Sequence, residues 1–221
     1  MVALKTVLHR FARGFIDLLL PQAAEVRFLE DASVASLLQK ARPASKELPG
    51  IISVFDYRDP LIKRMVWEIK FRGNRRLAKL AADVLYEHLL AELSELKLFS
   101  GGSQVLLVPV PLAAKRMRGR GFNQAERIAD EMIKIDGGKN FSISTSVVRV
   151  KETKSQTQTK SRSERMQNMN GAFSVINKKS VMGKNIIVLD DVVTTGSTIG
   201  EIKKVLLQSG AASVIGLTLA H

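Results

Sequence analysis

The 221-residue chain contains no cysteine, which excludes disulfides, cysteine-ligated zinc, iron–sulfur clusters and thiol catalysis. Aromatic residues are few, at 5%, and no apolar run approaches the roughly 20 residues needed to span a bilayer. Acidic residues are also in deficit, since 21 Asp and Glu stand against 34 Lys and Arg, a net charge of +13. This excess favours an anionic partner: nucleic acid, a phosphorylated metabolite or a membrane surface. The N-terminal residues do not resemble a secretion signal, so we expect a cytoplasmic protein without a membrane span.

Apolar residues make up 45% of the chain, enough for a sizeable core. Beyond residue 104, short apolar runs alternate with helical patterns and end with apolar strands near 185–189 and 212–219. This alternation predicts an α/β fold with a mainly parallel twisted sheet flanked by helices. Upstream, residues 4–19 predict an amphipathic helix. Trp67 and His88 stand among apolar neighbours and are interpreted as packing residues.

One segment, residues 186–198, contains the best candidates for functional residues and has the sequence IIVLDDVVTTGST. It predicts a buried strand that ends in Asp190 and Asp191, then a glycine- and hydroxyl-rich turn that leads into a helix. In open α/β sheets, ligands bind just beyond the carboxyl ends of the strands. The segment is neither a Walker loop nor a dinucleotide fingerprint, because it lacks the lysine of the first and the glycine spacing of the second.

The turn predicts a phosphate site, because free backbone N–H groups and the positive end of a helix dipole attract anions. Gly196 would let the backbone approach the anion closely. The other turn residues add hydroxyl donors: Thr194, Thr195, Ser197 and Thr198. Two carboxylates would repel a phosphate, so we expect Asp190 and Asp191 to face vicinal sugar hydroxyls or Mg²⁺.

The same segment resembles the signature that binds phosphoribosyl pyrophosphate (PRPP) in type I phosphoribosyltransferases. The resemblance implies that Asp190 and Asp191 bind the ribose 2′- and 3′-hydroxyls, and that residues 194–198 surround the 5′-phosphate. It also implies the type I phosphoribosyltransferase fold, with a small hood from about residues 50–75, and Mg²⁺ bound together with PRPP.

Other positions are similar to the ComF competence family, over roughly residues 50–221. The similar elements are Val108-Pro109-Val110-Pro111, Arg118 through Gln124 (RGRGFNQ), Arg149, Gln156, Arg165, Asn168, Gly171-Ala172-Phe173, Phe55-Asp56-Tyr57 and Ile69 through Gly73 (IKFRG). ComF proteins usually carry a four-cysteine zinc finger near the N-terminus. Here Gln22-Ala23-Ala24-Glu25 stands where the first cysteine pair would begin, so no zinc is expected. We predict an N-terminal helix with a cysteine-less finger region over 1–50, and a phosphoribosyltransferase-like domain over 51–221.

The positive charge is concentrated in residues 111–170, which contain 13 Lys and Arg and only 6 Asp and Glu. On one hypothesis, the basic residues Lys115, Arg116, Arg118 and Arg120 gather around the pyrophosphate of PRPP. On the other, basic loops bind the phosphates of single-stranded DNA, with Arg118, Arg120, Lys154 and Arg162 as contacts. Phe122 is the only aromatic residue in a basic motif, so base stacking would contribute little.

Two functions therefore stay open. The chain binds PRPP with Mg²⁺ and transfers its phosphoribosyl group, or it is a non-enzymatic competence factor for DNA uptake that handles single-stranded DNA. No catalytic residue is identified, because His9, His88 and His221 all lie outside the motifs. Positioning and stabilisation of the leaving group would have to drive any transfer.

Overall fold

The computed structural model describes residues 24–45, 48–95, 104–151 and 169–221; the predicted helix over 4–19 lies outside them. The α-helices of these residues are α1 (Ala24–Asp31), α2 (Val34–Lys40), α3 (Pro60–Trp67), α4 (Arg75–Glu95), α5 (Ala114–Arg120), α6 (Gln124–Asp136) and α7 (Ser197–Gln208). The strands are β1 (Ile51–Phe55), β2 (Val105–Pro109), β3 (Phe141–Ile143), β4 (Val147–Arg149), β5 (Phe173–Val175), β6 (Asn185–Val192) and β7 (Ser213–Ala220). A π-helical turn, Glu68–Arg72, continues α3, and a 3₁₀ turn spans Lys178–Ser180.

Five strands form the main sheet in the order β1-β7-β6-β2-β3, and every neighbouring pair is parallel. The predicted parallel sheet is thus confirmed, and β4 and β5 form a separate antiparallel pair. The expected hood over residues 50–75 is partly wrong, because β1 is an edge strand of the main sheet rather than part of a hood. Only the segment after β1 extends over the carboxyl ends of the strands.

Helices cover both faces of the sheet, as its continuous apolar strands require. Along β6, Ile187 and Leu189 belong to one core, together with α3, α4 and α6. Ile186 and Val188 alternate with them and belong to a second core, with α7 and the β4–β5 pair. The strands are therefore buried on both sides, which explains why they lack a polar face.

The connections that leave β2 and β6 diverge, although these two strands are neighbours. From β2 the chain runs through α6 on one face to β3, and from β6 it runs through α7 on the opposite face to β7. Such a reversal of strand order leaves a crevice at the carboxyl ends of the two strands. The fold therefore provides one place where a ligand can reach several loops at once.

The described part of the predicted finger region contains α1 and α2. These helices bury Val26, Leu29 and Leu37, whereas Leu38 is exposed. Leu29 and Leu37 join the larger core of the main sheet. The proposed division of the chain at residues 50 and 51 stays a prediction.

Two residues interpreted as packing groups lie at the surface instead. Trp67 is 42% exposed and stacks near the guanidinium groups of Arg64 and Arg72. His88 is partly exposed on α4, with Nε2 3.9 Å from a carboxylate oxygen of Glu92. Apolar neighbours in sequence misled the prediction, because the helix turns these side chains away from the core. None of the described helices is long and apolar enough to cross a bilayer.

Candidate functional site

A cavity of about 450 Å³ opens at the carboxyl ends of β2 and β6, in the crevice where the connections diverge. Val110, Pro111 and Leu112 follow β2 and form one wall. The acid pair and the hydroxyl-rich loop after β6 form the opposite wall, and the turn after α3 contributes Lys70 and Phe71. The remaining lining residues are Tyr57, Arg116, Arg120, Gln124, Arg149 and Met169.

The two acids at the end of β6 differ in their surroundings. Asp191 is 3% exposed, its Oδ1 accepts the N–H of Val192 at 2.8 Å, and its Oδ2 lies 2.9 Å from Lys70 Nζ. Asp190 is only half-buried, and its Oδ1 accepts the N–H of Asp191 at 2.9 Å. Both carboxyl groups line the cavity, but Lys70 pairs with Asp191.

The pKa values of this cluster follow from burial and from its charges. Burial alone would lower the pKa of Lys70, but the negative charge of Asp191 outweighs it, and the pKa of Lys70 is raised. Burial raises the pKa of Asp190 well above its usual range, and the charge of Asp191 raises it further, while Lys70 opposes both. The ammonium therefore stays charged, and the acid pair resists carrying two negative charges.

The hydroxyl-rich loop after β6 turns into α7 at a glycine. Gly196 precedes α7 with φ 75°, and a Cβ there would lie 3.2 Å from Ile51 Cδ1, so both conformation and space favour glycine. Gly196 has no side chain to cap α7, and the N–H of Ser197 donates to Thr195 Oγ1 at 3.4 Å. Thr194, Gly196, Ser197 and Thr198 line a second, small recess beside the acid pair. Thr195 lies outside that lining and its hydroxyl donates to Ser197 Oγ at 3.0 Å.

The four predicted basic residues on α5 divide into two pairs. Arg116 and Arg120 line the cavity, whereas Lys115 and Arg118 are exposed and do not. Arg120 is fixed by a hydrogen bond to Gln124 Oε1 and by the Phe71 ring, 5.2 Å away. Burial lowers the pKa of Arg120, and Asp191 partly compensates. The other proposed DNA contacts, Lys154 and Arg162, lie outside the described residues.

Comparison with known proteins agrees with this geometry. The model of the phosphoribosyl transferase domain family matches residues 84–221. The DNA utilization protein YhgH of Salmonella typhimurium is 36% identical over 180 residues, 80% of this chain and 72% of that protein. Competence protein F of Haemophilus influenzae is 30% identical over 172 residues, 74% of this chain and 69% of that protein. The chain belongs to the ComF family of phosphoribosyltransferase-domain proteins. The hypoxanthine phosphoribosyltransferase structure of Trypanosoma cruzi is 11% identical, with a TM-score of 0.40 over 64% of this chain and 63% of that one.

The family model and the parallel sheet assign the fold of a type I phosphoribosyltransferase, as the resemblance implied. Two ComF-like elements that are far apart in sequence meet beside the cavity. Gly73, with φ 64°, packs so tightly that a Cβ would lie 2.6 Å from Arg127 Nη1 and 3.1 Å from the Phe122 ring. Arg127 stacks 3.5 Å above that ring and donates to the Gly73 carbonyl oxygen at 2.9 Å. Phe122 is thus engaged in holding the two elements together.

Asn123 of the same ComF-like element holds two walls of the crevice together. Its Oδ1 accepts the N–H of Ala125 at 3.0 Å and so caps the N-terminus of α6. Its side-chain amide donates to Glu126 Oε1 at 3.1 Å. The same amide donates to the Val110 carbonyl oxygen at 3.0 Å, which ties the start of α6 to the chain leaving β2.

Lys70, Phe71 and Gln124 line the cavity, although no role was predicted for them. Their only signal was their place in the ComF-like elements, IKFRG for the first two and RGRGFNQ for the third. Lys70 meets Asp191 across 121 positions of the chain, so no local pattern could have paired them.

Proposed function

We propose that this protein binds PRPP at the cavity between β2 and β6. The observation that carries the proposal is the joint presence of an acid pair, a hydroxyl-rich anion loop and cationic side chains around one crevice. A ribose with a phosphate at one end and a pyrophosphate at the other offers a matching partner for each of the three. The family model supports the same ligand class, because it matches the part of the chain that forms the crevice.

The two anionic ends of PRPP would occupy different parts of the site. The small recess at the start of α7 offers backbone N–H groups and hydroxyls, which suit the 5′-phosphate. No cationic side chain of the described residues lines that recess, whereas Arg116 and Arg120 line the larger cavity and suit the pyrophosphate. Lys115 and Arg118, also predicted for the pyrophosphate, would act only at longer range.

Magnesium fits this site only together with the ligand. The described residues contain no cluster of three or more metal-ligating side chains. Mg²⁺ is commonly held by one or two carboxylates plus substrate phosphates, and the half-buried Asp190 can supply a carboxylate. Bound there, Mg²⁺ would neutralise charge on the pyrophosphate. Asp191 is the weaker ligand candidate, because Lys70 already pairs with it.

Phosphoribosyl transfer is the reaction this arrangement would support. An acceptor would attack C1 of the ribose as the C1–O bond to pyrophosphate breaks, and the leaving group would take the electron pair. Arg116 and Arg120 would stabilise the developing charge without reorganising, and the crevice would hold the ribose in line. Release of pyrophosphate in the presence of candidate acceptors, compared with a no-acceptor control, measures this step.

Calorimetric titration with PRPP and Mg²⁺ tests the binding proposal. We expect saturable binding to the wild-type chain and none to the double variant Asp190→Asn, Asp191→Asn. Asp130→Asn, an exposed carboxylate on α6, is the matched control and should bind normally. Absence of binding to the wild type, or equal binding to the double variant, would overturn the proposal.

A second candidate function is the binding of single-stranded DNA within the competence machinery. Trp67 and Phe71 are both exposed, their ring centroids lie 5.7 Å apart, and Arg64, Arg72 and Arg120 lie against one or the other ring. Bases stack on such exposed rings while arginines contact phosphates. The names of the relatives, a DNA utilization protein and a competence protein, support the same class of ligand.

Trp67 is the only tryptophan of the chain, so its fluorescence reports directly on this surface. We expect single-stranded DNA to quench the fluorescence, with an affinity that falls steeply as salt rises. Replacing Arg118, Arg120, Lys154 and Arg162 by Ala should reduce the salt slope. Phe71→Ala should weaken binding, and Met117→Ala, an exposed apolar residue on α5, serves as control. A salt-independent affinity, or full binding by the arginine and lysine variant, would reject DNA binding of this electrostatic kind.

A further inference from the structure

The two adjacent acids at the end of β6, Asp190 and Asp191, differ in their partners and in their exposure. Both oxygens of Asp191 are engaged within the protein, one by the N–H of Val192 and the other by the ammonium of Lys70. Asp190 is more exposed and lines both the main cavity and the small recess, whereas Asp191 lines the main cavity alone. The residue free to meet a sugar at the recess is therefore Asp190.

Lys70 is held rigidly for a lysine. It lies in the π-helical turn Glu68–Arg72, with Ile69 buried beside it and Gly73 ending the turn in a left-handed conformation. The tight contact of Gly73 with Arg127 and Phe122 anchors that end of the turn to α6. The Lys70 side chain is 23% exposed and lines the cavity, so its ammonium is available to a ligand as well as to Asp191.

Lys70 lines the same cavity as the other cations. Lys70, Arg116, Arg120 and Arg149 line the main cavity, and none of them lines the recess where a phosphate would meet α7. A ligand with two anionic groups would therefore place the second one among these four cations. Asp191 Oδ2 lies 2.9 Å from the ammonium of Lys70 and so holds it at the cavity.

We propose that Lys70 is a binding residue for the second anionic group of the ligand, and that Asp191 is a positioning residue that acts through Lys70 while Asp190 alone binds the ribose hydroxyls. The inference rests on the proposed binding of PRPP and divides the roles that the sequence resemblance gave to both acids. It predicts that the two acids respond differently to ligands with and without a pyrophosphate.

Titrations of PRPP and ribose 5-phosphate, each by calorimetry, test the division. Lys70→Met should weaken PRPP binding by about 10- to 100-fold, as expected for loss of a charge-assisted contact, and change ribose 5-phosphate binding by less than about 2-fold. Asp191→Asn should follow the Lys70→Met pattern, whereas Asp190→Asn should weaken both ligands. Lys70→Arg should retain most of the preference for PRPP, and Lys63→Met, an exposed lysine on α3, should behave as wild type.

The double variant Lys70→Met, Asp191→Asn separates ligand binding from folding, because it removes both members of the ion pair and leaves neither without its partner. We expect its PRPP affinity to be no lower than that of the weaker single variant, since both changes remove one contact. The inference is overturned if Asp191→Asn weakens ribose 5-phosphate as strongly as Asp190→Asn does, or if Lys70→Met changes both ligands equally. If the wild-type protein binds neither ligand, the proposed function is overturned together with this inference. If the wild-type protein binds both ligands, the variants test the division of roles alone.

Discussion

Asp136 and Asp191 are equally buried, at 3% exposure each, yet the protein surrounds them with opposite kinds of partner. Asp136 lies between α6 and β3 and accepts four neutral hydrogen bonds, from Tyr86 Oη, the side chain of Asn140 and the backbone N–H groups of Asn140 and Phe141. Asp191 has one backbone N–H and one lysine, with a second carboxyl group next to it.

The difference reflects where each acid lies on the sheet. Asp136 precedes a strand, at the amino edge, and its bonds fix the turn that leads into β3. Burial alone would raise the pKa of Asp136, but the donors of Asn140 and Phe141 lower it below its usual value. Asp190 and Asp191 end a strand beside a cavity, where the pKa of Asp190 is raised by burial and by its neighbour. An acid whose oxygens all accept hydrogen bonds within the protein, such as Asp136, stabilises the fold. A pair of acids with fewer partners beside a cavity, such as Asp190 and Asp191, is suited to bind a ligand.

The largest expected effect separates the two acids by ligand affinity. Asp190→Asn should weaken PRPP binding by about 100-fold, because the carboxyl group that would hold the sugar hydroxyls is replaced by an amide, whose NH2 group donates where a carboxyl oxygen would accept. Asp136→Asn should leave PRPP affinity unchanged, since its side chain does not line the cavity. Calorimetry on both variants measures the contrast, and a similar loss in the two would contradict it.

The free energy of unfolding should respond to Asp136→Asn but not to Asp190→Asn, the reverse of the order expected for ligand affinity. Asp136→Asn should lower the free energy of unfolding by about 2 kcal/mol, because the new amide group would face N–H or O–H donors. Asp190→Asn should not lower it, since the change relieves repulsion from Asp191. Urea unfolding measures both, with the exposed Asp130→Asn as control; an Asp136→Asn protein as stable as wild type would refute this account.

The contributions of Asp136 and Asp190 to the free energy of unfolding should change with pH in opposite directions. Asp136 has a lowered pKa when folded, so its contribution is present above the unfolded value of about 3.9 and is lost as the pH falls further. Asp190 has a pKa raised to about 8 when folded, so stability falls as the pH rises from about 3.9, where the carboxyl group ionises in the unfolded chain, to about 8, where it ionises in the folded protein.

The gap between wild type and Asp136→Asn should therefore shrink in acid. Asp190→Asn should gain on wild type as the pH rises, because it removes the group that ionises unfavourably. Unfolding curves at a series of pH values measure both trends. A gap for Asp190→Asn that does not change with pH would show that this acid is not perturbed in the folded protein.

The smallest expected effect concerns the basic side chains on α5. Arg120→Ala should weaken PRPP binding by about 10-fold, and the exposed Arg118→Ala by less than about 2-fold, because surface charges are screened by solvent. Both residues belong to one short helix and carry the same charge, so each is a control for the other. Equal losses would indicate that general charge, rather than contact at the cavity, draws the ligand.

The region from β6 to α7 could be predicted closely from the sequence because its determinants are local. A continuous apolar run predicts a strand buried on both faces, and the polar turn after it predicts the start of the following helix. The structure has both, as β6 and α7. The parallel order of the sheet was also predictable, since strands alternate with helices along this part of the chain.

The cationic side of the site could not be predicted in the same way. Arg118 and Arg120 were assigned to basic loops, yet their segment forms the helix α5, which carries Arg116 and Arg120 to the cavity. Trp67 was expected in the core because of its neighbours, and the pairing of Lys70 with Asp191 depends on tertiary contact alone. Local sequence patterns predict the secondary structure of single segments. The site depends on contacts between segments that are far apart in the chain, which such patterns do not contain.

The π-helical turn that carries Lys70 makes this part of the protein sensitive to chain length. A π-turn holds one more residue than an α-turn over the same rise, and each helical residue rotates the side chains by about 100°. Removing one residue between Glu68 and Arg72 would let the turn relax to an α-helix and rotate either Lys70 or the Gly73 contact out of place. In this segment, a single deletion should therefore be more damaging than several conservative substitutions.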